Sequence, residues 1–287
     1  MAKAADYRTV MVGRWRLVVC PSEWTEELQK RVVTLVDSRP RSKHPQTIEL
    51  NRTTKTGIDL YYLKVFAGGG GFTALKDFCR ASKAFRFWRQ GLALSAAGFN
   101  SPPTIAAGEL RHFGMLQRAF VVTSKIDGQL LPAYLAHLGK ASDRRASMKE
   151  KRAGIILLAH LIREFHRQGF IHGDLVATNL LIAGSTADGL SVWFMDNDRT
   201  MRLPKWLFRS LRNRNLIQLN RMPLPGITLQ DRMRFLHAFL GRQKLTHRDR
   251  VFARGIEKKT RRRRKECDGA DPTIDFRQLM RWKGTSI

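Results

Sequence analysis

IHGDLVATNLLI, residues 171–182, decides how this chain reads. It carries the pattern H-x-D-x-x-x-x-N in His172, Asp174 and Asn179, directly after an apolar helical stretch. NLLIAG begins a short hairpin that turns around Ala187-Asp188-Gly189 and returns as LSVWFMD, which brings Asp196 back to the same place. Upstream, the strand-like run YYLKVF (61–66) supplies Lys64. These are the parts that phosphoryl transfer requires. A carboxylate orients the attacking hydroxyl and takes its proton, hard oxygens hold Mg²⁺ against the phosphates, and a cation steadies the α- and β-phosphates. Asp174 suits the first role, Asn179 and Asp196 the second, and Lys64 the third. ATP and Mg²⁺ are therefore the expected cofactors. HGD alone is weak; its conjunction with the asparagine, the hairpin aspartate and the strand lysine is much more specific. His172 reads as a prop for the loop through hydrogen bonds. Asp198 is a rival metal ligand, and Asp196 is preferred because it directly ends the apolar strand.

Working outward, Arg14–Cys20 reads as a strand and Ser22–Asp37 as a helix capped by Ser22. Thr47–Thr53 and Ile58–Phe66 read as strands joined by a Lys-Thr-Gly turn. Thr73–Ala97 reads as one long helix ending at Gly98, and Gly108–Ser124 holds two further strands. The run Gly68–Gly71 reads as a linker, since it follows the lysine strand instead of preceding it. From Gln129 helical patterns dominate, notably Lys149–Gln168. The fold class is α+β: a two-lobed, protein-kinase-like fold. Its N-terminal lobe, 1–124, is mainly β with one long helix, and its C-terminal lobe, 125–287, is mainly α, with the ligand cleft expected between them.

Composition bounds the setting. The chain of 287 residues is 43% hydrophobic, enough for a packed core, and carries 52 Lys+Arg against 24 Asp+Glu, a net charge of +28. Such an excess points to an anionic partner or workplace. Cys20, Cys79 and Cys267 are scattered and lack metal-ligand spacing, so reduced thiols in the cytoplasm are expected. MAKAADYRTV has no apolar signal-peptide core. The longest apolar helical stretch, Ala153–Ile162, is about half of the ~20 residues a membrane span needs, so any membrane contact is expected to be peripheral. KKTRRRRK, 258–265, including Arg261, Arg262, Arg263 and Arg264, reads either as a solvated, partly disordered loop or as a dock for an anionic membrane. The membrane is preferred over nucleic acid, because no aromatic-basic pattern of a nucleic-acid module is present. Lys205, Arg209 and Arg212 recur at helical spacing beside Trp206, Phe208 and Leu211, and suit either an ordinary surface helix or the docking of a phosphorylated, lipid-linked substrate.

Beyond the site itself, YYLKVF, FWRQGLALSAAGFNSP (87–102), MDNDR (195–199), RNLIQLNR (214–221) and DRMRFLHAFL (231–240) follow one another in the order and at the distances found in the lipopolysaccharide core kinases. The chain resembles this Kdo/heptose kinase family of Gram-negative bacteria over most of its length. The resemblance implies phosphorylation of a sugar hydroxyl on the lipid A–core oligosaccharide, at the cytoplasmic face of the inner membrane. It also exposes departures. Family members carry a glutamate in the long helix to pair with the strand lysine, and Phe87 stands in its place here; Asp77 lies about three turns earlier. A glycine-rich loop over the phosphates is missing, and Val176 replaces the lysine that protein kinases often place there, which argues against a protein substrate. Two other readings stay open. One is a small-molecule phosphotransferase of the antibiotic-kinase type, which shares HGD. The other is a catalytically weak, kinase-like binding protein.

Overall fold

The computed structural model describes residues 7–40, 45–54, 57–68, 78, 80–184, 189–204, 208–222, 224 and 226–267. The chain divides into two compact units. One takes the chain up to Asp127 together with Asp196–Arg199; the other takes Gly128–Met195 and the chain from Thr200 onward.

The first unit is built on a six-stranded antiparallel sheet in the order β1-β2-β5-β6-β4-β3. Its strands are β1 (Arg8–Val12), β2 (Trp15–Val19), β3 (Gln46–Thr54), β4 (Gly57–Ala67), β5 (Thr104–His112) and β6 (Met115–Ser124). Successive strand residues point to opposite faces, and the two faces take different helices. Helix α1 (Glu26–Ser38) buries Leu28, Val32 and Val36 against Leu17, Leu63, Phe120 and Val122. Helix α2 (Lys83–Ala96) lays Ala84 and Phe87 on Phe66, Ala107, Ala119 and Val121. Gly108 has to be glycine, because a Cβ there would lie 2.4 Å from a ring carbon of Phe120.

Local capping corrects two sequence expectations in this unit, and a strand pairing adds to a third. Helix α1 begins at Glu26, with Thr25 accepting a bond from the Leu28 N–H. Ser22 instead lies in the turn closed by Trp24 N–H on the Cys20 carbonyl. Helix α2 begins only at Lys83, where Ser82 accepts from the Phe85 N–H. Arg80 and Ala81 are not helical, and Thr73–Asp77 lies outside the described residues. The strand at Arg14–Cys20 is the second arm of a hairpin whose first arm, β1, the sequence reading missed.

The second unit is mainly helical. Its helices are α3 (Leu131–Lys140), α4 (Arg144–Arg167), α5 (Phe208–Arg221), α6 (Leu229–Leu240) and α7 (His247–Cys267). Asp143 caps α4 by accepting from the Arg145 and Ala146 N–H groups, which moves its start five residues ahead of the expected Lys149. Helix α6 opens on a Thr228/Asp231 capping box and closes on Gly241 at φ 65°. Small strands complete the unit: β7 (Gln129–Leu130), β9 (Leu180–Ala183) and β10 (Ser191–Phe194) form one sheet, and β8 (Phe170–Ile171) pairs with β11 (Met201–Arg202). Phe165 stacks on Phe194 at 4.6 Å and meets Phe170 at 5.4 Å, which joins α4 to the strands on either side of the HGD segment.

Candidate active site

In the first unit, alternation along β4 puts Leu63 and Val65 on the α1 face and Lys64 and Phe66 on the α2 face. Lys64 Nζ lies 5.6 Å over the Phe66 ring and donates to Asp196 Oδ1 at 2.6 Å. Asp196 has φ 54°, a left-handed conformation that costs a non-glycine residue energy and is concentrated at functional sites. The segment after it is tied down on both sides. Asn197 donates to Ser101 Oγ at 2.8 Å, and Arg86 donates from Nε to the Asp198 carbonyl at 3.2 Å, with Nη2 3.9 Å from its carboxylate.

The two aspartates therefore differ. The Asp196 side chain is 38% exposed and that of Asp198 is 8% exposed. Burial, followed by the neighbouring Asp196 charge, pushes the Asp198 carboxyl above its ordinary range, and Lys64, Arg199 and Arg86 oppose this. Asp196 is thus the accessible carboxylate, and Asp198 anchors the segment.

Phe87 is 5% exposed and packs in the apolar cluster beneath α2. The expectation that a glutamate here would face Lys64 is corrected accordingly: this position is core. The helix reaches the Asp196 segment through Arg86, one residue earlier, and Lys64 takes its opposing charge from Asp196. The rival Asp77 lies outside the described residues.

In the second unit, His172 is fully buried. Its Nε2 lies 2.9 Å from the Met195 carbonyl, and its Nδ1 lies 3.2 Å from the Asp174 N–H. A carbonyl only accepts and an N–H only donates, so the ring is neutral with its proton on Nε2. His172 is a structural brace for the loop. Asn179 closes the short 3-10 turn Ala177–Asn179, and its Nδ2 donates to the Asp174 carbonyl at 2.9 Å. The Met195 N–H bonds back to the Asn179 carbonyl. With the amide nitrogen used on Asp174, Oδ1 is the atom Asn179 offers to a cation. Oδ1 of Asn179 in the second unit and the carboxylate of Asp196 in the first are each hard oxygens, the ligand type that Mg²⁺ takes.

Two further residues of the second unit, both absent from the sequence reading, hold the HGD segment. Asn215 and Gln218 on α5 bond to His172, Gly173, Asp174 and Leu175. The only sequence signal was their place in RNLIQLNR.

The basic residues fare unevenly. Lys205 lies outside the described residues, as do the side chains of Arg209 and Arg264. Arg212 is half-buried, its guanidinium 5.9 Å over the Phe252 ring. Arg261, Arg262 and Arg263 are exposed on α7, which runs through this stretch and corrects its loop reading, and Thr260 is fully buried beside Asn220. The second unit also contains a cavity of ≈ 1300 Å³. Leu158, Leu216 and Phe239 line it, together with Arg254, Lys258 and Arg262.

The Lipopolysaccharide kinase (Kdo/WaaP) family model matches residues 52–239. Among solved structures, WaaP in complex with acyl carrier protein matches with a TM-score of 0.58 and 21% identity, over 88% of this chain and 98% of that chain. The kinase domain of a Toxoplasma gondii specific rhoptry antigen matches at 0.40 and 14% identity, over 81% of this chain and 84% of that one. The Mycobacterium tuberculosis PknI kinase domain, as a C20A/R136A double mutant, matches at 0.35 and 13% identity, over 86% and 79%. No curated protein matches the sequence.

Proposed function

The chain belongs to the lipopolysaccharide kinase (Kdo/WaaP) family, and on that premise we propose that it transfers the γ-phosphate of ATP to a sugar hydroxyl, on Kdo or heptose, of the lipopolysaccharide inner core. It is a kinase, with the β-rich first region and helical second region of a protein-kinase-like fold. The observation that carries the substrate reading is the family match across the whole span from β3 to α6. A fixed HGD carboxylate in a neutral hydrogen-bonded frame supports the chemistry.

In this reading Asp174 orients the acceptor hydroxyl and takes its proton as the new bond forms. Lys64 exchanges Asp196 for the α- and β-phosphates. Asn179 Oδ1 and the Asp196 carboxylate would each offer a hard oxygen to the cation. Bound Mg²⁺ supplies neutralisation of the charge on the β- and γ-phosphates. His172 braces the loop and moves no proton, since its Nε2–H is committed to the Met195 carbonyl.

The substrate class and the charge of +28 together support a workplace at the cytoplasmic face of the inner membrane, with peripheral attachment. No helix among the described residues is long and apolar enough to cross a membrane. The cavity favours one more partner. Its apolar wall fits an acyl chain, and Arg254, Lys258 and Arg262 fit an anionic carrier of that chain, so an acyl carrier protein is proposed to bind the second unit.

The deciding experiment is a transfer assay with purified core lipopolysaccharide, [γ-³²P]ATP and Mg²⁺, run beside a panel of aminoglycosides. Label in the core sugar supports the reading. Label only in the aminoglycosides moves the protein to the small-molecule phosphotransferases. A Mg²⁺-dependent ATP complex with no transfer leaves the kinase-like binding protein.

A further inference from the structure

A line of neutral groups in the second unit ends on Asp174. His166 Nε2 lies 3.2 Å from Asn215 Oδ1, Asn215 Nδ2 donates to Gln218 Oε1 at 3.2 Å, and Gln218 Nε2 donates to Asp174 Oδ1 at 3.3 Å. The backbone of the HGD segment fixes the direction of every bond. Asn215 Oδ1 receives the His172 N–H at 3.1 Å, so that end is the oxygen. Its amide nitrogen then donates to the His172 carbonyl and to Gln218. Gln218 Oε1 also receives the Leu175 N–H at 3.3 Å, so that end too is the oxygen. Its nitrogen is left to donate to the Gly173 carbonyl, at 3.2 Å, and to the Asp174 carboxylate. At the far end His166 must donate from Nε2, because an amide oxygen only accepts.

Asn215 and Gln218 sit three residues apart on α5, hence on one face, and both are buried. A residue needed only to pack α5 against the loop would not require a donor aimed at the carboxylate. Nor would a charged residue serve as well there. An arginine would compete with the proton for Asp174, and a carboxylate would repel it. An amide orients one carboxylate oxygen and adds no full charge.

We propose that Gln218 is a positioning residue for phosphoryl transfer: its Nε2–H holds one oxygen of Asp174 and so aims the other at the acceptor hydroxyl, with Asn215 fixing which way Gln218 points. The inference rests on the reading that Asp174 takes the hydroxyl proton.

Gln218→Glu tests it. The variant keeps chain length and the oxygen that receives Leu175 and Asn215, and replaces the donor that faces Asp174 and the Gly173 carbonyl. Expected is a fall in kcat of about 10–100-fold, part of the range a positioned base contributes. KM for ATP should stay within about twofold, while the thermal midpoint should fall, since a buried neutral network is costly to break. The kcat ratio of variant to wild type should rise at acid pH, where a protonated Glu side chain donates again. Gln218→Met, similar in volume and lacking both polar ends, should lose kcat at every pH and covers the case in which the Glu variant fails to fold. Asp174→Asn is assayed alongside. If it retains most of kcat, the base assignment fails. If it is inactive while Gln218→Glu and Gln218→Met turn over like the wild type, or change only KM, the positioning role of Gln218 is overturned.

Discussion

The first unit holds its site residues with full charges, and the second holds its own with neutral groups. Lys64 and Asp196 form a part-exposed ion pair at 2.6 Å. Pairs in that setting are worth roughly 0–1 kcal/mol, so a phosphate can take the place of Asp196 on Lys64, and a cation that of Lys64 on Asp196, at little cost. Asp174 sits instead in a frame of imidazole, amide and backbone groups, most of them buried. Buried neutral networks are costly to break and do not exchange with a charged ligand. The contrast matches the two tasks: residues that must let go of one partner and take another are paired by charge, and a residue that must keep one orientation is set among amides.

The contrast breaks first if the core under α2 can accept a charge. Phe87→Glu would place a carboxylate in the cluster of Phe66, Ala107 and Val121. Losing the ring alone costs about 3–5 kcal/mol, and burying the carboxylate adds to it. That is a large part of a typical 5–15 kcal/mol of stability. The expected outcome is loss of the folded first unit in thermal melts, with no gain of activity. Arg86→Ala should be milder, about 1–3 kcal/mol, because it leaves the Asp198 carboxyl buried without its guanidinium. A well-folded Phe87→Glu enzyme with raised kcat would restore the idea that this position addresses Lys64.

Much of this division was legible beforehand. Lys64, Asp174, Asn179 and Asp196 could be singled out as candidates because each stands in a local pattern whose chemistry has few alternatives, and the structure pairs Lys64 with Asp196 and bonds Asn179 to Asp174. The helix start at Lys83 was not, because an apolar pattern does not show that Ser82 will cap. Phe87 was placed by likeness of text, and only packing shows which way its ring faces. Asn215 and Gln218 lie more than forty positions from the loop they hold, and no periodicity reports such a contact. Arg86 escaped for the same reason: its partner follows the hairpin, far along the chain.

The neutral frame can be sharpened by pH. Burial, aided by the nearby Arg212 charge, lowers the His166 pKa from its ordinary 6.5 to about 4, although its bond to Asn215 works the other way. The folded value lies below the unfolded one. Its contribution is therefore complete above the unfolded value and is lost as pH falls through this window to the folded one. The loss amounts to about 3 kcal/mol. Urea denaturation between pH 7 and pH 4 should show it, and His166→Gln should flatten that part of the acid limb. An acid limb identical in the variant would mean that His166 does not stay neutral in the folded protein.

The charged half is sharpened by its two aspartates. Asp196→Ala removes the accessible carboxylate and should weaken Mg²⁺-dependent ATP binding about 10–100-fold, with little change in melting temperature, since its pair with Lys64 contributes little. Asp198→Ala should do the reverse, lowering the melting temperature by freeing Arg86 while leaving binding within about threefold. Calorimetry with and without Mg²⁺ ranks them. The opposite ranking would move the metal ligand to Asp198.

The smallest effects belong to exposed charges on the surface. On α7, Arg261, Arg262 and Arg263 are exposed, and Arg261 donates to Glu257 at 3.0 Å. A basic residue near an anionic membrane is worth up to ~1 kcal/mol, about fivefold in affinity. Arg262→Ser and Arg263→Ser should therefore each weaken binding to phosphatidylglycerol-containing vesicles by no more than this, and the pair should act additively. Raising the salt from 50 to 500 mM shrinks the Debye length and should erase the difference between the variants and the wild type. Arg261→Ser should cost slightly less binding, because Glu257 already offsets its charge, and slightly more stability, because the i, i+4 pair is lost. Turnover of a soluble core oligosaccharide should stay unchanged in all three. Vesicle binding that ignores both substitutions and salt would make this face of α7 a solvated surface and remove it from membrane attachment.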